Sequence, residues 1–191
     1  PPSFWFYAAA ATVFNLVFSA MTLDNESLLR ERGLDGKKAN ELIMAVLFLS
    51  GLPVNFLFGW LSRKFAKGKL LAVGVVLTGA ALLTFPFVSS MTGATVYALL
   101  LGAAGGATTV IYFAIFGHTF GRGHIGSIQA AVQVLSVFAS ATGPVLLALC
   151  REHLGGSEPF FFGFAGLCVA FAVAAWVVRP PRRDTFGEAV T

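Results

Sequence analysis

Residues 42–88 read LIMAVLFLSGLPVNFLFGWL, then SRKFAKGK, then LLAVGVVLTGAALLTFPFV. Two uncharged apolar runs, Leu42 to Leu61 and Leu70 to Val88, flank an eight-residue connection holding Arg63, Lys64, Lys67 and Lys69 and no acid. A bilayer core of about 30 Å needs roughly 20 apolar residues in a helix. Each run meets that length, and the connection is the charge-bearing turn between two crossings. Working outward, the same pattern recurs at Phe4 to Leu23, Thr95 to Phe116, Ser127 to Leu149 and Phe160 to Val178. No run contains Asp, Glu, Lys or Arg, as the cost of several kcal/mol for a charge at mid-membrane requires. The fold expected is therefore all-α: a polytopic membrane protein with six transmembrane helices, at about 4–23, 42–61, 70–88, 95–116, 127–149 and 160–178.

The composition of the whole chain excludes the main alternatives. Of 191 residues, 57% are hydrophobic and 12% charged, against about 25% charged in a soluble domain. Twenty Phe and a mean hydropathy of +0.79 leave no polar shell for a water-soluble enzyme, and disordered chains are poor in such residues. The formal charge of +4 comes from cations lying between apolar runs, so it reads as topology and not as a nucleic-acid surface. Cys150 and Cys168 have neither metal nor redox spacing and are expected to pack as small apolar residues. The opening Pro1 suggests a segment or a processed product. The first run lacks a basic leader and a small-residue cleavage pattern, so no signal peptide is expected.

Six crossings leave both termini in one compartment. Their side carries Arg63, Lys64, Lys67, Lys69, Arg122, Arg179, Arg182 and Arg183; the other carries Arg30, Arg32, Lys37, Lys38 and Arg151. Eight against five places the termini, including a short tail at 179–191, in the cytoplasm. A plasma (inner) membrane setting is expected. The segment Asp24 to Glu41 is read as a solvated connector with a few buried leucines, the alternative being a helical extension or short interfacial helix around Leu28, Leu29 and Leu34.

The connection Gly59, Trp60, Leu61, Ser62, Arg63, Lys64, Phe65, Ala66, Lys67, Gly68, Lys69 resembles the loop motif of the major facilitator superfamily. There, a Gly and small residues precede an Asp-Arg pair, a second Gly and more basic residues, between the second and third helices. Gly59 and Lys67 agree with it; Arg63 stands where the acid is expected, Lys64 replaces the Arg and Ala66 the second Gly. Such erosion is typical of the degenerate copy between the eighth and ninth helices of that family. The run Phe120 to Ile128 resembles the fourth-to-fifth connection of carboxyl halves in the oxalate/formate and monocarboxylate-like branch, and Gly143-Pro144 late in the fifth span adds to the likeness. The resemblance implies that the six spans are helices seven to twelve. It also implies two inverted three-helix repeats, a missing amino-terminal half of the same chain as partner, a solute path near mid-membrane, and a gating loop at Gly59, Arg63, Lys64 and Lys67.

Polar groups inside the spans mark the surfaces that avoid lipid. Asn15 and Ser19 share a face of helix one, with Thr12 near them. Asn55 lies one turn from Gly51, beside Pro53; Gln129 and Gln133 share a face of helix five, continued by Ser136 and Ser140; Tyr112 is a candidate on helix four. These stripes either line a solute path or act as packing glue between helices, contributing about 0.6–2 kcal/mol each. As a set they point to a cavity, with Asn15 and Ser19 foremost. Gln129 and Gln133 fit a gate or a bundle contact equally well.

Gly102, Gly105 and Gly106 have small-residue spacing for close helix contact. His118, Arg122 and His124 lack a further ligand for a metal, so no metal or other cofactor is expected. No span holds a nucleophile with a base, so no catalytic residue is expected. No mid-span acid offers proton coupling, and no mid-span cation offers an anion its counter-charge. The function expected is that of the carboxyl half of a secondary transporter moving a small solute by alternating access, an organic anion being what the branch resemblance implies, with solute and membrane lipid as partners. The alternatives are a six-span scaffold or assembly protein without transport, and a half-size carrier that dimerises.

Overall fold

The computed structural model describes residues 2–119 and 125–177. Seven helices and one 3-10 turn make up this part: α1 Pro2–Leu23, α2 Asn25–Glu31, α3 Gly36–Lys64, α4 Lys67–Thr84, the 3-10 turn Phe85–Phe87, α5 Met91–Thr119, α6 Ile125–His153 and α7 Glu158–Val177. Six of them, all but α2, are long and apolar enough to cross a bilayer. All six expected spans are helical, and most extend beyond their apolar runs. With 29 residues, α3 reaches about 44 Å, far enough to carry its charged ends past the hydrocarbon.

Local chemistry sets the boundaries. Asp35 caps α3, its carboxylate accepting from the Lys38 N–H at 3.3 Å, while Ser90 Oγ accepts from the Gly93 N–H at 3.2 Å at the start of α5. Pro86 lacks the N–H that would continue α4, so the chain tightens into the 3-10 turn. That turn delivers Phe85 into the core, 4.9 Å from the Tyr97 ring and 5.0 Å from Phe161. Hydroxyls along the spans bond back to their own helices, as Thr12 does to the Ala8 carbonyl and Thr78 to that of Gly74, both four residues back. No extra partner is then needed in lipid.

The segment 24–41 departs from the solvated connector expected of it. Residues 25–31 form α2, on which Leu28 and Leu29 are buried. Gly33, at φ 78°, then reverses the chain into the first turn of α3. Burying two leucines outweighs solvation of so short a segment, and arginines fasten it. Arg151, from the end of α6, lies 4.0 Å from Asp24, 3.6 Å from Glu31 and 3.2 Å from the Ser27 hydroxyl. Arg32 donates to the Pro86 carbonyl, approaches Glu158 at 3.6 Å and lies over the Phe85 ring.

The main packing partners are α3 with α5, α1 with α6, α4 with α5, and α4 with α7. Exchanging α1 with α5, α3 with α6 and α4 with α7 maps the first pair onto the second and the fourth onto itself, while the third, α4 with α5, has no counterpart of similar extent between α7 and α1. The packing thus carries an approximate two-fold relation between two three-helix units. Both related crossings are made at a glycine just ahead of a helix proline. A Cβ on Gly143 would strike the Leu16 carbonyl, and Gly51, whose own Cβ would lie 3.2 Å from the Gly102 carbonyl, presents its carbonyl to Gly106. Such contacts draw the backbones together where van der Waals packing, not water exclusion, holds helices in lipid.

Candidate functional site

Two adjoining hollows lie along α1 and α5 and share a wall of Phe14, Asn15 and Thr109. The first, about 200 Å³, lies between α1, α5 and α6 and is lined by Asn15, Tyr112, Gln133 and Ser136 with Phe14 and Phe113. The second, about 330 Å³, lies between α1, α3 and α5. Asn15 and Asn55 both line it, together with Gly102, Gly105 and Gly106 and with Phe14, Phe18 and Phe48. Asn15, Phe14 and Thr109 border both. Among the described residues no Asp, Glu, Lys, Arg or His lines either hollow, whose polar lining consists of amides and hydroxyls beside aromatic faces.

Asn15 is held in place from two directions. Its Nδ2 donates to the Ala11 carbonyl at 2.8 Å on its own helix and to Ser136 Oγ at 3.4 Å on α6. Such anchoring fixes the rotamer of a group that borders both spaces. Asn55 stands on α3 next to the Gly51 and Gly106 crossing, where the absence of a side chain at 106 lets α5 pass close to its backbone. That close passage keeps the second hollow narrow and gives it a peptide-lined floor.

Four of the six sequence-derived path residues, Asn15, Asn55, Tyr112 and Gln133, border the hollows. Ser19 borders neither; its hydroxyl donates to the Ser140 carbonyl at 2.8 Å and joins α1 to α6. Gln129, near the start of α6 and half-buried, also borders neither. Of the loop residues, Gly59 faces Val110, whose Cγ1 a Cβ at 59 would meet at 3.9 Å, while Arg63 and Lys64 end α3 and Lys67 opens α4. The run 120–124, with Arg122 and His124, and the tail 179–191 lie outside the described residues.

Two features escaped the sequence reading. Thr109 stands in the wall shared by the hollows, one turn before Tyr112 and one turn after Gly105 and Gly106. That spacing was available as a signal. The aromatic lining from Phe14, Phe18 and Phe48 was not, because phenylalanine facing lipid and phenylalanine facing a cavity look alike in a chain with 20 of them.

Comparison with known proteins agrees with this architecture. A crystal structure described as an auto inhibited POT family peptide transporter superposes with a TM-score of 0.67 at 18% identity, covering 96% of this chain and 40% of that one. The chain thus spans well under half the length of that neighbour. No curated protein matches it in sequence. The sequence profile described as Major Facilitator Superfamily matches residues 2–190. With six spans, paired three-helix units and a match over nearly its whole length, the chain belongs to the Major Facilitator Superfamily.

Proposed function

We propose that the chain forms the carboxyl-terminal half of a secondary transporter, which moves a small solute by alternating access and carries out no covalent chemistry. The observation that carries this reading is the convergence of Asn15, Asn55, Tyr112 and Gln133, from four different helices, on two adjoining hollows. Packing glue alone requires only pairwise bridges, such as the one Ser19 makes. An amino-terminal six-helix half closes the open side of the hollows, and the two halves rock about the solute. The bundle lies in the plasma membrane with both termini in the cytoplasm. The cationic turn at Arg63, Lys64 and Lys67, with Gly59, acts as the gate-side connection.

The solute is recognised through neutral hydrogen-bonding groups on this half. If the solute is an organic anion of the oxalate or monocarboxylate kind, its counter-charge comes from the other half, because among the described residues of this one no cation lines the hollows. The likeness to that branch rests on the run from Phe120 to Ile128.

The test is exchange of labelled solutes by vesicles containing the full-length product. Asn15→Ala, Asn55→Ala and Gln133→Ala should each raise KM, by about fivefold to tenfold for a lost hydrogen bond of about 1 kcal/mol or slightly more. Ser19→Ala should leave KM unchanged. Vesicles that exchange no member of a broad panel of acids, sugars and amphiphiles refute transport and favour the scaffold. Transport that requires a dimer of this chain alone supports the half-size carrier instead.

A further inference from the structure

The two ends of the bundle differ in charge and in aromatic content. All three tryptophans of the chain lie at the end formed by the start of α1, the close of α3 and the close of α7, and all are exposed: Trp5 by 65%, Trp60 by 52% and Trp176 by 62%. Arg63, Lys64, Lys67 and Lys69 lie at that end, and among the described residues no carboxylate does. The opposite end carries Arg30, Arg32, Lys37, Lys38 and Arg151 against seven carboxylates, from Asp24 to Glu158, several of them in ion pairs. That end pairs several of its cations with carboxylates; at the tryptophan end Lys64 and Lys69 lie against indole rings instead.

Two lysines are placed by the tryptophans. The Lys64 ammonium lies 4.0 Å from the centre of the Trp60 ring and that of Lys69 lies 5.2 Å from the centre of the Trp176 ring. Both lysines are exposed. Indole at headgroup depth, carrying a cation on its face, matches a phospholipid at both of its parts: the ring meets the ester and upper acyl region, and the ammonium meets the phosphate.

We propose that this end of the bundle binds anionic phospholipid headgroups in the bilayer leaflet, with Lys64 and Lys69 as the phosphate ligands and Trp60 and Trp176 as the interfacial anchors. The site stands on the membrane-spanning fold; Lys64 also belongs to the gate-side connection proposed above, so the test reads lipid contact and not transport. A free phosphate compound shares the headgroup chemistry, but it offers nothing for the exposed indoles to enter; the lipid does.

Because every tryptophan lies at this end, intrinsic fluorescence reports on it selectively. The full chain is placed in phosphatidylcholine vesicles in which a fifth of the lipid is brominated, as either phosphatidylglycerol or phosphatidylcholine. Quenching should be stronger with the anionic lipid. That preference should fall about fivefold in Lys64→Gln and further in Lys64→Gln/Lys69→Gln, and should shrink at high salt in the parent chain. Equal quenching by the two lipids, or an undiminished preference in the double variant, overturns the proposal. So does competition by soluble glycerol phosphate, which would assign the site to free phosphate. If the double variant does not insert, the salt titration of the parent decides, and a preference that persists at high salt overturns it.

Discussion

Gly102→Ala tests the backbone crossing on which the second hollow depends. A Cβ at 102 would stand 2.5 Å from the Leu47 carbonyl oxygen and 3.0 Å from the Leu47 Cα, and would also strike Ser50 Oγ. The serine can rotate away, but the α3 backbone cannot. Restoring ordinary contact with the carbonyl requires α3 and α5 to separate by about 0.9 Å, and a gap of that size forfeits roughly a quarter to a half of the dispersion attraction of the atoms it parts. Overpacking of this kind costs about 1–3 kcal/mol, and in lipid no hydrophobic term between helices offsets it. Gly163→Ala on α7 is the matched control, since a Cβ there meets nothing within 4 Å. Titration of micelle-embedded protein with a denaturing detergent, followed by helicity, should show Gly102→Ala destabilised by about 1–3 kcal/mol and Gly163→Ala within about 0.5 kcal/mol of the parent. Equal stabilities for the two variants would refute the claim that the α3 and α5 backbones touch at this glycine.

Further outcomes follow from the α2 end. Arg151→Gln removes the cation shared by Asp24 and Glu31; because these groups are partly exposed, the expected loss is about 1 kcal/mol or less, visible as faster amide exchange over residues 24–34 with the rest unchanged. Gly33→Ala places a side chain at φ +78° and should cost about 1–2 kcal/mol, whereas Gly166→Ala should be neutral in the same measurement because its Cβ meets nothing within 4 Å. The Lys38 backbone N–H, then the Lys38 side chain, hold the Asp35 carboxyl below its ordinary value of 3.8. Its contribution to the α3 cap is therefore fully present above that value and lost as pH falls through the lower folded one. Amide protection at Lys38 should persist through pH 4 and fade only in stronger acid, and early loss would contradict the cap.

The six long apolar helices and the sorting of charge to two ends could be read from the chain alone. Hydrocarbon as a solvent imposes a requirement that is local in sequence: some twenty apolar residues without a charge. What the same reading could not supply is which face of each helix meets which neighbour. Asn15 and Ser19 form one stripe by spacing, yet Asn15 borders both hollows while Ser19 is spent on the Ser140 carbonyl, a partner 121 positions away. The division depends on where α6 crosses α1, set by Gly143 against the Leu16 carbonyl. Likewise Leu28 and Leu29 and the Glu26–Arg30 pair favour a helix locally, but that α2 docks on the bundle depends on Arg151, which reaches it from the end of α6, and on Arg32, which ties its end to the Pro86 turn. The residue pattern determined the medium, the number of helices and their ends; long-range backbone contacts decided which polar groups bridge helices and which face an open space.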